Sequence, residues 1–399
     1  MKKNYIKRNG HTDLEAYSQL FDKEVTKKTF IAPLIGKDAN SIIQLKEVTN
    51  QGRKHDKIVF NLRGYTFGTP VFNISEQLEG NEGQVYALND YVAINEIFCT
   101  MRVMGNRVVT NHQSSIHELR KEAKYGLVNW HANYLSAMFF LSVCGYTAHD
   151  IGNYPTVEEY SDEGATYFIG SASSEITRPT DKRIIRANGK MADEELDEND
   201  TFTLELLDKA ILRAKRETPR MKPVCVDGEN FYVLYLHPIQ LDQLRANIGR
   251  EQWREITKAL HYKKIETKSP LLNGAVGIYN GVILHETEWV TPGVQYNEVN
   301  EGEDNRYNRD KYVPNVRRGV LLGAQSAIMA IRKDRGATHY RFMEKRFGYD
   351  NDLGVAAVIA MGMKKTRFNV LSHTHYVSSL LQKISQQDFG VIVLPTYAA

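Results

Sequence analysis

The hydrophobic and polar positions between residues 57 and 145 predict a long β-hairpin followed by a long helix. The first run alternates and places Ile58, Phe60 and Leu62 on one face of a strand. A second strand-like run spans residues 85–103, and the polar, Gly-rich stretch between the two runs is typical of a hairpin end. An isolated hairpin of this length is at best marginal in water. We therefore expect it to lie on the body of the subunit or on a neighbour.

The helix after the hairpin is predicted to be unusually long. Ser115 and Glu118 form an S-x-x-E capping box, and Gly145 is a C-terminal stop. Apolar residues between these signals recur at steps of three and four and form one stripe, at Ile116, Leu119, Ala123, Leu127, Trp130, Tyr134, Met138 and Leu141. About thirty residues at ~1.5 Å each give roughly 40–45 Å, so we expect a strut that runs along the subunit.

Residues 146–335 are predicted to form a separate α/β region with its own caps and turns. Thr203 is predicted to be the N-cap of one helix, and Pro238 suits the first turn of the first of two consecutive helices. Turn signals at Asp227-Gly228 and Asn280-Gly281 predict two hairpins.

Four further segments are interpreted from their composition. Residues 1–48 are predicted to be an irregular arm in which short helical patches such as Leu14 to Phe21 are possible. The acidic run 193–200 is predicted to be a solvated loop, and the polar residues 291–316 a long loop. The apolar run 389–395 near the C-terminus has to pair with other backbone. We expect it to be an edge strand of the main sheet.

Composition narrows the class of protein. The 399 residues are 42% apolar and 25% charged, which is typical of a globular protein with a real core. A net charge of +3 is too small to predict a dedicated nucleic-acid binder. We expect no membrane span, because no run of about eighteen apolar residues exists. We expect no secretory signal either, because no apolar segment follows the basic N-terminus.

The three cysteines predict neither a metal site nor a disulfide framework. Cys99, Cys144 and Cys225 are far apart and odd in number. Reduced, buried thiols in a cytoplasmic protein are therefore expected.

A search for catalytic chemistry finds no convincing set of residues. His373 and His375 could share one face of a strand and bind zinc, but a third ligand is missing. His285-Glu286 lacks the second histidine of a zincin motif, and the Gly-Ser stretch at 170–174 lacks the second glycine of a nucleophile elbow. We predict no catalytic, cofactor or metal site, which favours a role in assembly.

Several motifs, in their order along the chain, carry a resemblance to a known family. They are Leu78-Glu79-Gly80-Asn81-Glu82, the helix over 115–145, the segments 221–224 and 231–238, Gly277-Ile278-Tyr279-Asn280-Gly281-Val282, the segment 321–327, Lys364-Lys365-Thr366-Arg367-Phe368 and Asp388-Phe389-Gly390-Val391-Ile392. With these motifs the sequence resembles the major capsid proteins of tailed bacteriophages, in particular the podovirus-type family.

The resemblance implies an α+β fold of the Hong Kong 97 type. In that fold an N-terminal arm precedes an extended hairpin, the E-loop, which overlies an adjacent subunit. A peripheral domain holds a long spine helix, and an axial domain surrounds the five- and six-fold axes. The expected boundaries are an arm over 1–56, an E-loop over 57–100, a peripheral domain over 101–145 and 335–385, an axial domain over 146–334 and a C-terminal strand over 386–399.

The implied function is that of a structural, non-enzymatic major capsid protein. Its copies would assemble into hexamers and pentamers of an icosahedral shell that encloses a double-stranded DNA genome. The implied partners are the chain itself, a portal and a separate scaffolding protein, with decoration proteins left open. No cofactor and no membrane are implied. Assembly would take place in the cytoplasm of the host bacterium.

Two groups of residues are candidate contacts. The acidic end of the E-loop is expected to contact basic groups of a neighbouring subunit, through Glu79, Gly80, Asn81 and Glu82. The basic N-terminus could face packaged DNA through non-specific phosphate attraction, with Lys2, Lys3, Lys7 and Arg8. A terminal charge run is more often simply solvated.

Two other functions stay open at this point. An encapsulin-like cargo shell would share the fold, and a cytoplasmic α/β enzyme with an unrecognised site would not. No Lys–Asn pair for an isopeptide cross-link can be matched in this sequence, so we predict no covalent cross-link between subunits.

Overall fold

The computed structural model describes residues 18–48, 57–62, 88–103, 116–148, 176–296, 310–333, 338–347, 352–367 and 387–399. The helices are α1 (18–28), α2 (Ile116–Val143), α3 (Leu204–Arg216) and α4 (Pro238–Glu266). The strands are β1 (Ile35–Gly36), β2 (Ile43–Val48), β3 (Lys57–Leu62), β4 (Leu88–Ala93), β5 (Asn95–Val103), β6 (Val224–Val226), β7 (Glu229–Leu236), β8 (Ala275–Tyr279), β9 (Val282–Glu286), β10 (Pro292–Gln295), β11 (Lys311–Leu322), β12 (Ala327–Arg332), β13 (Tyr340–Phe347), β14 (Asp352–Lys365) and β15 (Val391–Tyr397).

A six-stranded sheet lies beneath the long helix α2. Its central strand β14 pairs with β12 and β13 along one edge and with β5 along the other. Strand β2 runs parallel to β12 and continues the sheet to β1. Apolar residues of α2, such as Leu127 and Phe139, share one core with Val355 and Ile359 of β14. The face of the sheet that carries these residues is therefore buried by the helix.

The segment that precedes β1 also packs on this core. Phe21 of α1 is fully buried and makes edge-to-face contacts with Tyr340 and Phe342 of β13. The arm is thus more regular over 18–48 than predicted: a helical patch is expected near Leu14 to Phe21, but α1 extends to residue 28, and β2 is a strand of the sheet. Residues 1–17 lie outside the described part of the chain.

A seven-stranded sheet forms the second layer. Strand β11 pairs with β15 along one edge, and with β10 and β7 along the other. Strand β9 lies parallel to β7, and β8 closes that edge. Both predicted hairpin turns are confirmed, because Asp227 and Asn280 have positive φ and each is followed by a glycine. The C-terminal run is confirmed as an edge strand, β15 of this sheet.

The long helix is confirmed in length and in its C-terminal stop. Its 28 residues correspond to roughly 42 Å. The amide of Tyr146 donates to the carbonyl of Leu141, and Gly145, at φ 63, donates to that of Ser142. This pattern is a Schellman motif, which glycine favours. Ser115 and the side chain of Glu118, the predicted capping box, lie outside the described residues.

The helices of the second layer follow the predicted caps. The hydroxyl of Thr203 accepts from the amide of Leu206 at the start of α3. Pro238 occupies the first turn of α4. The two helices predicted after Pro238 form one element with a break at Gly249, whose φ of 76 is non-helical.

Four expectations are corrected by the structure. The strand run 85–103 is divided at Ile94, because β4 pairs with β3 whereas β5 joins the six-stranded sheet. The predicted loop over 291–316 contains β10 and the start of β11. In the acidic run, Asp193 and Asp200 are buried, so that run is only partly solvated. Cys225 is exposed, while Cys99 and Cys144 are buried as predicted.

Candidate functional site

A buried ion-pair network lies at the C-terminal end of α2. The guanidinium of Arg318, on β11, donates to the carbonyl oxygens of Cys144 and Gly145 at 3.2 and 3.1 Å. A cation at this position interacts favourably with the negative end of the helix dipole. The Nε of Arg318 lies 2.7 Å from Asp193, and its Nη2 lies 2.8 Å from the hydroxyl of Tyr296. Arg318 thus joins the end of the helix to the seven-stranded sheet.

The carboxylate of Asp193 is charged in spite of its burial. Burial alone would raise its pKa, but Arg318 and Arg186 outweigh that effect and lower the pKa. Arg186 lies 2.7 Å from Oδ1 of Asp193. The amide of Val294 donates at 3.0 Å to Oδ2, the oxygen that Arg318 also contacts. Each oxygen is therefore satisfied, which a buried carboxylate requires.

A second network joins the same helix end to the six-stranded sheet. The amide of Lys365, the last residue of β14, donates to the hydroxyl of Ser142 on α2 at 2.8 Å. The ammonium group of Lys365 lies 3.1 Å from Asp388, which also accepts from Arg367 at 2.8 Å and from the amide of Thr180 at 3.0 Å. Burial lowers the pKa of Lys365 to about 8, although Asp388 acts in the opposite direction.

A third contact lies between these two networks. Asp310 accepts from Thr147 and from Arg178, each at 2.5 Å. The guanidinium of Arg178 also stacks on the ring of Tyr296, 4.5 Å from its centroid. Removal of one partner from a buried ion pair is costly, whereas the intact pair adds little net stability. We interpret these groups as fixing the position of α2 relative to both sheets.

The base of the β3–β4 hairpin lies on the opposite face of the six-stranded sheet. Phe60, Val92 and Ile94 pack against Ile328 and Ala330 of β12 in a small separate core. The alternation predicted for β3 is confirmed, because Phe60 and Leu62 are buried while Val59 and Asn61 are exposed.

Polar contacts hold the hairpin base in register with the sheet. Asp90 of β4 is buried, lies 2.7 Å from the ammonium group of Lys364 and accepts from the amide of Arg367 at 2.9 Å. The side-chain amide of Gln325 donates to the carbonyl of Asn61 at 3.1 Å. The base of the hairpin is therefore fixed to its own subunit.

The residues predicted to make contacts lie outside the described part of the chain. These are Glu79, Gly80, Asn81 and Glu82 of the hairpin end, and Lys2, Lys3, Lys7 and Arg8 of the N-terminus. The same holds for His373 and His375, for the Gly-Ser stretch at 170–174 and for residues 63–87.

The remaining candidate for metal chemistry is explained by packing. His285 is buried in β9, its Nε2 lies 2.9 Å from the carbonyl oxygen of Leu271, and burial lowers its pKa to about 4. Among the described residues no group of three or more His, Cys, Asp or Glu side chains is placed to hold a metal ion. No helix within the described ranges is long and apolar enough to cross a membrane.

From the sequence alone no role is assigned to the charged residues of either network, although Lys365, Arg367 and Asp388 stand in the quoted motifs. Arg318 follows Arg317 just before an apolar run, and Lys365 follows Lys364 just after one. A charge at the border of an apolar strand was the available signal. It could not indicate that Asp193 is the partner of Arg318, because the two are 125 positions apart.

Comparisons with known proteins agree with this architecture. A family model described as phage capsid protein matches residues 7–399. The major capsid protein of Pseudomonas phage KPP25 is 24% identical over 391 residues, which cover 94% of this chain and 93% of that protein.

Two solved phage capsids share the fold of the chain. The capsid of Ralstonia phage GP4 superposes with a TM-score of 0.71 at 24% identity and covers 94% of this chain and 92% of the other. The capsid of cyanophage Pam1 gives a TM-score of 0.55 at 16% identity, with 94% and 93% covered.

Proposed function

Because this chain belongs to the phage capsid protein family, we propose that its copies assemble into hexamers and pentamers of an icosahedral shell around double-stranded DNA. The chain is a structural major capsid protein with the Hong Kong 97 fold that its sequence predicts. One structural observation supports the proposal beyond family membership. Buried hydrogen bonds join the end of α2 to both sheets, from the guanidinium of Arg318 on β11 and from the backbone amide of Lys365 on β14, so α2 can transmit load between them.

The division into domains belongs to the same proposal. We assign the N-terminal arm to 1–56, the E-loop to 57–100, the peripheral domain to 101–145 and 335–385, the axial domain to 146–334 and the C-terminal strand to 386–399. The six-stranded sheet under α2 supports a peripheral domain, and the seven-stranded sheet supports an axial one. By these bounds β2 falls in the arm and β12 in the axial domain, but the two strands pair within the six-stranded sheet, so we move both from those regions into the peripheral domain.

The E-loop is proposed to start from the base described above and to reach an adjacent subunit. The fixed base supports this role, because a hairpin that is rigid at its root holds its far end at a defined position. In the proposal, Glu79 and Glu82 contact basic groups of that neighbour. The basic residues of the N-terminus meet packaged DNA without sequence preference.

The remaining parts of the proposal concern partners and location. The chain is a component of the virion capsid. We propose that it assembles in the cytoplasm of the host with a portal and a separate scaffolding protein, and that it has no enzymatic activity.

The experiment that tests the proposal is electron microscopy of the purified protein, with native mass spectrometry of smaller species. Hexamers, pentamers or closed particles hundreds of ångströms wide are expected. A stable monomer or dimer in every condition would contradict the proposal and would favour the alternative of a cytoplasmic enzyme.

A further inference from the structure

We propose that neighbouring axial regions in a capsomer meet head to tail, with the outer end of α4 of one copy seated on the acidic ledge of the next. The α4 end is defined by Lys258, Tyr262, Lys264 and Ile265. The acidic ledge is defined by Met191, Glu194, Glu195 and Glu198. This inference rests on the proposed ring assembly and names the two surfaces that would form the contact.

The α4 end presents apolar side chains without cover from the subunit. Tyr262 is 69% exposed and Ile265 is 82% exposed, and the two lie three positions apart on one side of the helix. Aromatic and large aliphatic residues of this exposure, next to charges, are typical of an interface that is buried on association. Lys258, four positions before Tyr262, lies on the same side and also pairs with Glu255 at 3.0 Å, while Lys264 is exposed on the adjoining side of the helix.

The acidic ledge has the complementary character. Glu194, Glu195 and Glu198 are exposed, and beside them Met191 is 81% exposed. The ledge is rigid, because Asp193 is held by Arg318 and the carboxylate of Glu195 accepts from the amide of Met191 at 2.9 Å. A preorganised surface loses little conformational entropy when it binds.

The two surfaces lie on different parts of the seven-stranded sheet. Both ends of the segment that carries the ledge are tied to β15, because the amide of Ile185 donates to Val393 and the amide of Tyr397 donates to Asp200. The ledge itself packs on β10 and β11, where Asp193 accepts from the amide of Val294. The second half of α4 packs on β8, at the far edge of the sheet, where Ile256 lies directly over Gly277.

Opposite charge on two separate surfaces of one subunit suits a ring. A heterologous contact joins one patch of a subunit to a different patch of the next, and it closes when the rotation between copies does. A patch with lysines and exposed apolar residues and an acidic patch with exposed Met191, on different parts of one sheet, fulfil that requirement. Two copies of the acidic ledge would repel each other, which disfavours a two-fold contact at that surface.

The test is a charge exchange between the two surfaces, scored as the yield of capsomers and shells. The double change Lys258→Glu and Lys264→Glu, and separately Glu194→Lys and Glu198→Lys, should each lower the yield by about tenfold or more, because like charges would then face each other. The chain with all four changes should recover to within about threefold of the unmodified protein, because attraction is restored with reversed sign. Lys209→Glu, on the exposed side of α3, is the matched control and should assemble normally.

Each outcome separates this inference from the proposed function. Thermal unfolding of the unassembled chains is the check that every variant is folded. If the unmodified protein forms rings but either double variant does so equally well, the inference is wrong and the proposed function stands. The inference is also wrong if the four changes together fail to recover assembly. It is wrong as well if the variant Lys258→Glu/Lys264→Glu forms normal shells and only packages less DNA. An unmodified protein that never forms rings overturns both.

Discussion

Arg318 and Asp193 form an ion pair in which both side chains are completely buried and the guanidinium lies 2.7 Å from the carboxylate. The pair ties the end of α2 to the acidic segment beside β15, and its two charges lie on different elements. Because neither side chain reaches solvent, the loss of either partner leaves the other charge without compensation.

The first prediction concerns this pair. Arg318→Leu should lower the free energy of unfolding by about 3–5 kcal/mol, because Asp193 would remain buried and charged. Urea denaturation of the unassembled subunit measures the change. Lys209→Ala, which removes an exposed pair with Glu205, should cost less than about 1 kcal/mol. The double variant Arg318→Leu/Asp193→Leu should lose less than the two single variants together, and strictly additive losses would contradict the coupling.

The features that the sequence predicts correctly depend on residues that are close together in the chain. The alternation at Ile58, Phe60 and Leu62 arises from one buried face, which repeats along the chain and is visible in a single sequence. The α2 stripe is buried or half-buried from Ala123 to Leu141, although from Tyr134 onward the helix is buried on all sides. The turn at Asn280-Gly281 depends on two adjacent residues. These features are confirmed.

The features that could not be predicted depend on residues far apart in the chain. Asp193 stands in an acidic run that looks solvated, and its burial depends on Arg318. The division of the strand run at Ile94 depends on β14, more than 250 positions later, as the partner of β5. A single sequence carries no sign of such pairings, so the charged networks had to be found in the structure.

The second prediction is a loss of stability in mild acid. Burial lowers the pKa of His131 to about 3 and the pKa values of His237 and His285 to about 4. In the unfolded chain a histidine has a pKa near ~6.5, so below that pH the unfolded state binds more protons than the folded state. The free energy of unfolding is therefore expected to fall as the pH falls from 6.5 towards 4, by up to ~1.4 kcal/mol per pH unit for each histidine.

The variant His131→Phe tests the sign of this effect. The ring of His131 packs edge-on against Phe21 and Tyr340, so phenylalanine suits the site. Denaturation at pH 7 and at pH 5 should show a smaller difference in this variant than in the unmodified chain. An unchanged difference would mean that His131 is not the group that titrates. His261→Gln, on the exposed side of α4, controls for the loss of a surface histidine.

The third prediction concerns two glycines whose replacement by alanine should have opposite effects on the stability of the fold around them. A Cβ on Gly362 would collide with the carbonyl oxygen of Ala93, so Gly362→Ala should displace the β3–β4 base from the sheet. Faster hydrogen exchange of the amides in β3 and β4 is the expected readout. A Cβ on Gly126 of α2 would meet only Met101 at an ordinary 3.6 Å, and Gly126→Ala should stabilise the helix by roughly 0.5–1 kcal/mol. If neither substitution changed hydrogen exchange in β3 and β4, the close approach of Gly362 to Ala93 would not be what holds the hairpin base on the sheet.

The fourth prediction concerns covalent linkage between subunits. No Lys–Asn pair can be matched to the isopeptide cross-link found in some proteins of this fold, so mature particles should dissociate fully on boiling in detergent. A denaturing gel is expected to show a single band near 45.6 kDa. A ladder of dimers and larger species that survives reduction would contradict the prediction.

The fifth prediction concerns the acidic end of the E-loop. Glu79→Lys and Glu82→Lys together should leave a folded subunit that assembles poorly, because the proposed contact with basic groups of a neighbour becomes repulsive. The folded state is checked by the unfolding transition, which should not move, and assembly is checked by sedimentation. Replacement of the same residues by glutamine should give an intermediate yield, since it removes attraction without adding repulsion. Normal shells from the lysine variant would show that this end of the hairpin makes no ionic contact, whereas an altered unfolding transition would place its effect within the subunit. Glu251→Lys, a reversal on the exposed surface of α4, is the control for a change in net charge alone.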